Sequence, residues 1–83
     1  MTRQEIENRI SPIFSGIMFI DLEEIDNSCP LWAQQGIDEL DILELFDAID
    51  DEFGTNLFQN RDIDIYLMTI EDLYNLIERE INN

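Results

Sequence analysis

The chain predicts a small all-α bundle of four helices, three longer and one short, on three observations. Apolar residues recur at helical spacing in separate stretches. The longer stretches open on residues able to cap a helix. No segment of weight alternates apolar and polar side chains as a half-buried strand does. At 83 residues the chain is one domain, residues 1–83, with a modest core. A hydrophobic fraction of 45% is enough to build that core and argues against disorder.

The first helix opens at Thr2-Arg3-Gln4-Glu5, a capping box in which the hydroxyl caps the helix and the glutamate reaches back. Ile6, Ile10, Ile13, Phe14 and Ile17 then form its apolar side. Pro12 lacks an N–H, crowds the carbonyl four residues back and disfavours helical geometry at Ser11, so a kink or break is expected there. Residues 18–35 read as a long loop whose clearest turn signal is Asn27-Ser28-Cys29-Pro30. A loop of that length needs anchors, and Ile20, Ile25, Leu31 and Trp32 are the candidates. Leu22-Glu23-Glu24-Ile25 suits a short helical turn.

The second helix runs from Asp38 to about Phe53. Asp38 is an N-cap, Asp41 sits at the third helical position beside the positive helix end, and Gly54 is the C-terminal cap. Ile42, Leu45, Phe46, Ile49 and Phe53 share the core stripe. Glu44, Asp47 and Asp51 lie opposite, with Leu40 and Leu43 beside them, more exposed than a simple amphipathic pattern gives. Arg61 to Leu67 is the short helical segment. Thr69-Ile70-Glu71-Asp72 caps the last helix, which buries Ile70, Leu73, Leu76 or Ile77, and Ile81. The interior should gather Leu31, Phe46, Ile49, Phe53, Leu57, Ile65, Leu73 and Ile77.

Charge and composition exclude several classes of function. Four basic residues against twenty acidic ones leave a net charge of −16. That charge repels phosphate backbones and anionic lipid, so neither nucleic acid nor membrane is an expected partner. It favours a protein partner with a basic patch, favours a monomer, and makes stability rise with salt. Histidine and lysine are both absent, so no nucleophile–base arrangement exists; no catalytic residue and no enzyme activity are expected. No zinc spacing or phosphate loop appears, and Asp62-Ile63-Asp64 lacks the glycine and glutamate of a calcium-binding loop, so no metal site is expected. One cysteine, Cys29, gives no disulfide framework. With no spanning apolar run and no signal-peptide layout at Met1-Thr2-Arg3-Gln4-Glu5, a cytoplasmic protein is expected. Nothing basic adjoins Cys29 in sequence to activate its thiol.

The stretch Gly36-Ile37-Asp38-Glu39-Leu40-Asp41, opening an acidic helix, resembles the 4′-phosphopantetheine site of acyl carrier proteins, Gly-x-Asp-Ser-Leu. The likeness extends through Ile6, Ile10, Ile13 and Phe14, Ile20 to Ile25, Leu31, Glu44-Leu45, Ala48, Glu52-Phe53 and Thr69 to Leu73, about 70 residues in register. It implies an acyl-carrier-protein-like four-helix bundle that docks its acidic second helix on enzymes of fatty acid, polyketide or peptide assembly. Asp38, Leu40, Asp41, Leu43, Glu44, Asp47, Asp50 and Asp51 would form the docking face. It also implies an interior that shelters a thioester-linked acyl chain, and here the large Phe46 helps to fill that space.

The sequence departs from the family pattern at three places. Pro12 interrupts the first helix, Asp47 stands where the family often has an exposed apolar contact, and Glu39 holds the position of the attachment serine. A serine hydroxyl accepts the pantetheine arm as a phosphodiester; a carboxylate forms no such stable link. Glu39 also suits the first turn of a helix on local grounds, worth about 0.3–1 kcal/mol at the positive end. The leading expectation is therefore a non-loaded binding module without phosphopantetheine, acting as an adaptor, regulator or decoy. A second expectation is a genuine carrier whose attachment serine is altered or relocated, Ser28 being the one serine in the loop before the second helix. A third is an acidic mimic that blocks a nucleic-acid-binding protein.

Overall fold

In the computed structural model, residues 1–34, 36–57, 64 and 67–82 are described. Three α-helices order them: α1 (Arg3–Met18), α2 (Glu39–Phe53) and α3 (Ile70–Ile81), with single 3₁₀ turns at Leu22–Glu24 and Leu31–Ala33 between α1 and α2. No strand occurs among the described residues. The short helix expected over 61–67 falls mostly outside them, as does Ile65.

Each helix starts on a side-chain cap, which satisfies amide groups that have no partner within the helix. Thr2 Oγ1 accepts from the Glu5 amide at 3.2 Å and donates to Glu5 Oε1 at 3.3 Å. Asp38 with Asp41, and Thr69 with Asp72, form complete reciprocal boxes at the starts of α2 and α3. α2 ends on Gly54 in the left-handed region, φ 69°, as expected. α1 ends in the same conformation on Phe19, φ 58°, a residue whose Cβ makes that region costly.

The expected break at Ser11 does not occur: α1 runs unbroken from Arg3 to Met18 with Pro12 inside it. Asn8 and Pro12 are both exposed, so the carbonyl that Pro12 cannot serve faces water. Ile6, Ile10, Phe14 and Met18, buried on the opposite side, hold the helix against the core.

One core gathers Ile6, Ile10 and Phe14 from α1, Ile42, Leu45, Phe46 and Ile49 from α2, and Ile70, Leu73, Tyr74, Leu76 and Ile77 from α3. Leu31, Leu57 and Met68 close it, and Phe53 and Ile81 are partly buried against it. Burying side chains of this size stabilises the fold by roughly 1.5–3 kcal/mol each. Of the expected loop anchors, Leu31 and Ile25 are buried and Ile20 packs against the core. Trp32 is 37% exposed, less deeply buried than Leu31 in the same turn. In a 3₁₀ turn successive side chains point about 120° apart, so Leu31 pointing inward sends Trp32 outward. The Leu31 amide donates to the Met68 carbonyl at 2.8 Å, tying the loop to the entry of α3.

α1 is joined to α3 through Arg3. Its guanidinium donates to Glu78 Oε1 at 2.6 Å, Glu71 Oε2 at 2.8 Å and Asn75 Oδ1 at 2.6 Å, and lies 5.3 Å from the centre of the Tyr74 ring. Against α2, α1 runs antiparallel. Arg9 meets Glu52 at 3.8 Å, and Ile20, just past the end of α1, lies beside Gly36, just before α2: a Cβ on Gly36 would meet Ile20 Cδ1 at 3.7 Å.

Candidate functional site

The first turn of α2 is built by its own capping chemistry. Asp38 Oδ1 accepts from the Asp41 amide at 2.9 Å, and Asp41 Oδ2 accepts from the Asp38 amide at 3.2 Å. This box fixes the direction in which the chain enters the helix, and Gly36 at φ 87° supplies the turn before it. Glu39, the first helical residue, is exposed on that turn. Leu40 follows at 75% exposure, although a leucine normally contributes to a core.

Leu40, Glu44, Asp47 and Asp51 succeed one another at spacings of four, three and four, so they form one stripe, and all four are exposed. The remaining residues of the expected face differ. Leu43 is half-buried beside the stripe. Asp38 and Asp41 spend carboxylate oxygens on the cap. Asp50 turns to the far end of the helix, where Oδ1 accepts from Thr55 Oγ1 at 2.6 Å and from the Leu57 amide at 2.9 Å. Asp50 thus shapes the exit from α2 and helps to bring Leu57 into the core.

The hydroxyl and the thiol in the loop before this helix are both engaged with Asp26. Ser28 Oγ donates to Asp26 Oδ1 at 2.6 Å and Cys29 Sγ to Asp26 Oδ2 at 3.4 Å. The Ser28 hydroxyl, then its amide, hold the Asp26 carboxyl below the ordinary carboxylate range. The Asp26 hydrogen bond and charge push the Cys29 thiol above its ordinary value, the reverse of what an acyl-accepting thiolate needs. Among the described residues no group of acidic, cysteine or histidine side chains is placed to hold a metal ion, and no helix is long and apolar enough to cross a membrane. A groove of about 410 Å³ runs along α3 between Asp64, Leu67, Met68, Asp72 and Arg79, with no lining residue from α2.

Sequence reasoning missed one exposed residue at this end of the molecule, Phe19. It lies about 140° out of phase with Phe14 on a 3.6-residue helix, and an aromatic side chain off the apolar stripe at a helix end was the available signal. Tyr74 and Met68 were also missed, both as core residues. Tyr74 carries a hydroxyl and Met68 precedes the cap, so periodicity alone did not include them.

Among the described residues, three helices surround one apolar core, and α2 exposes a leucine and a row of carboxylates. The chain is 34% identical over 61 residues to an acyl carrier protein of Saccharopolyspora erythraea. The match covers 74% of this chain and 64% of that relative, so the chain spans slightly less than two thirds of the relative's length. No protein-family model matches the chain, and no solved structure matches it significantly. Over most of its length the chain is thus similar to an acyl carrier protein.

Proposed function

We propose that this protein is an acyl-carrier-protein-like docking module that is recognised by carrier-dependent enzymes and is not loaded at residue 39. The observation that carries the reading is a family frame in which the first turn of α2 bears Glu39 and no hydroxyl. The residues do not fit a phosphopantetheine arm. Glu39 offers a carboxylate in place of the alcohol that the arm needs, and a carboxylate forms no stable phosphodiester. No step of the mechanism therefore passes through that group.

The mechanism is surface mimicry. Leu40, Glu44, Asp47 and Asp51 present an apolar point within a row of negative charge, the pattern of an interface centre with a polar rim. The charges steer a basic patch on a fatty acid, polyketide or peptide assembly enzyme toward α2 and mainly set the association rate; the leucine adds contact once docked. Glu39 keeps the docked module from entering the acyl-transfer cycle, so it acts as adaptor, regulator or decoy.

Incubation with coenzyme A and a broad-specificity phosphopantetheinyl transferase, followed by intact mass measurement, tests it. The wild-type chain should show no gain, and Glu39→Ser should gain one arm. A gain by the wild-type chain would refute the non-loaded reading. The name of the curated relative favours a second reading, a genuine carrier loaded elsewhere. Ser28, whose hydroxyl hydrogen is committed to Asp26, is its candidate, and a thiol-bearing group mapped to Ser28 in protein from the native host would establish it.

A further inference from the structure

Phe19 is the least expected side chain on the surface. It is 90% exposed, and its backbone adopts the left-handed conformation at φ 58°, ψ 25°. Gly54 ends α2 with nearly the same angles, φ 69°, ψ 28°. Glycine suits that conformation because it lacks a Cβ; phenylalanine is penalised there and, being exposed, recovers nothing by burial. The turn itself is well made. The Phe19 amide donates to the Ser15 carbonyl at 3.0 Å, and Ser15 Oγ donates to Asp21 Oδ1 at 3.4 Å across the turn. The chain thus holds an aromatic ring outward at a position where the fold alone would be better served by glycine.

The place of that ring gives it a meaning. Ile20 packs beside Gly36, so Phe19 stands at the end of the bundle where α2 begins, the end that carries Glu39 and Leu40. Any enzyme that acts on residue 39 has to cover this end. The chain has no basic residue between Arg9 and Arg61, and Asp21, Asp38, Glu39, Asp41 and Glu44 follow the two apolar side chains in sequence or on the helix.

We propose that Phe19 and Leu40 form a two-point apolar contact for an enzyme surface that covers residue 39, a surface with an apolar recess rimmed by arginine or lysine. The proposal rests on the docking reading above and extends it from α2 to the end of α1. Charge selects the occupant. A second copy, a nucleic acid and an anionic membrane are all repelled by a chain of net charge −16. A basic rim is attracted, and a desolvated aromatic is the kind of side chain that concentrates binding energy at an interface centre.

The test uses the loadable Glu39→Ser chain, coenzyme A and a phosphopantetheinyl transferase, with loading rates read by intact mass. In that background Phe19→Gly should lower kcat/KM by roughly tenfold, mostly through KM, the size expected of one anchor residue. The same substitution should raise Tm, because it relieves the left-handed conformation. Phe19→Leu should keep most of the rate. Loading of Phe19→Gly at the parent rate overturns the contact and leaves the α2 reading standing. A fall in rate accompanied by a fall in Tm assigns Phe19 to the fold and overturns it as well. Failure of Glu39→Ser to load at all removes the docking reading and this extension together.

Discussion

The two ends of α1 are built on opposite principles. At the start, Arg3 is committed to three acceptors on α3 and to the face of Tyr74, and every polar atom it offers has a stated use. At the finish, Phe19 points into solvent from a left-handed residue beside the start of α2, where Leu40 is also exposed. The first end joins helices; the second spends apolar surface on water and gains nothing within the monomer. On the docking reading proposed above, stability and recognition are separated by position, and each can be changed without the other.

The largest expected effect tests that separation within a single helix. Leu40 and Leu45 lie on α2, the first 75% exposed and the second fully buried. Leu45→Ala should cost about 2–5 kcal/mol, transfer plus cavity. Leu40→Ala should stay within about 0.5 kcal/mol, as a surface change away from caps and ion pairs does. Urea denaturation of both variants checks this. Equal losses would mean that Leu40 packs in solution and is not available to a partner.

Tyr74 sharpens the other side of the comparison. Burial foremost, then the charges of Glu7 and Glu71, push its phenol from the ordinary 10.0 to about 12, against the pull of Arg3. A folded-state value above the unfolded one contributes stability that is whole below pH 10 and is lost as pH rises toward 12. Two pH units correspond to about 2–3 kcal/mol. The wild-type chain should therefore lose about that much relative to Tyr74→Phe between pH 10 and 12, as read from denaturant midpoints. Parallel curves would place the ring in water and loosen the Arg3 clamp from the account.

How much of this was legible in the sequence follows from which rules are local. Helix starts were readable because a cap and its partner lie three residues apart, as Asp38 with Asp41 and Thr69 with Asp72 show. The core stripe of α2 was readable because burial there follows helical period. Pro12 does not end α1, because packing of Ile10 and Phe14 on either side outweighs its local penalty. Trp32 is less deeply buried than Leu31 because the geometry of a 3₁₀ turn decides which neighbour faces inward. The Arg3 clamp was not legible at all, since it depends on which helix ends meet in space, and Phe19 showed only as an aromatic off the apolar stripe. In the candidate site, the exposed stripe of α2 was legible from its period, whereas the inward commitment of Asp50 depended on the path of the chain after Gly54.

Asp50 and Asp47 extend the comparison to the acidic residues themselves. Asp50→Asn removes the charge from the acceptor of the Thr55 hydroxyl and the Leu57 amide but keeps an oxygen there, and should cost about 1 kcal/mol, the usual scale of one hydrogen bond. Asp47 is exposed, and Asp47→Asn should leave stability unchanged or slightly raised as self-repulsion falls. Thermal unfolding of the pair separates a carboxylate that shapes the fold from one that only faces solvent. If both behave as Asp47 is expected to, the exit from α2 does not depend on Asp50.

The smallest effect concerns Glu78, and its sign with pH is the informative part. The hydrogen bond from Arg3 foremost, with its charge adding least, holds the Glu78 carboxyl below its ordinary value of 4.5 against the opposing effect of burial. A depressed folded-state value means a contribution fully present above the ordinary value and lost as pH falls through the lowered one. The chain's self-repulsion also fades in acid, but it fades almost equally in the wild type and in Glu78→Gln, so it cancels from their difference. The stability gap between the two should hold steady from neutral pH to about pH 5 and close below the carboxylate range. A gap that stays open in strong acid would show that Glu78 acts by packing alone and that Arg3 joins α1 to α3 through Glu71, Asn75 and the Tyr74 ring.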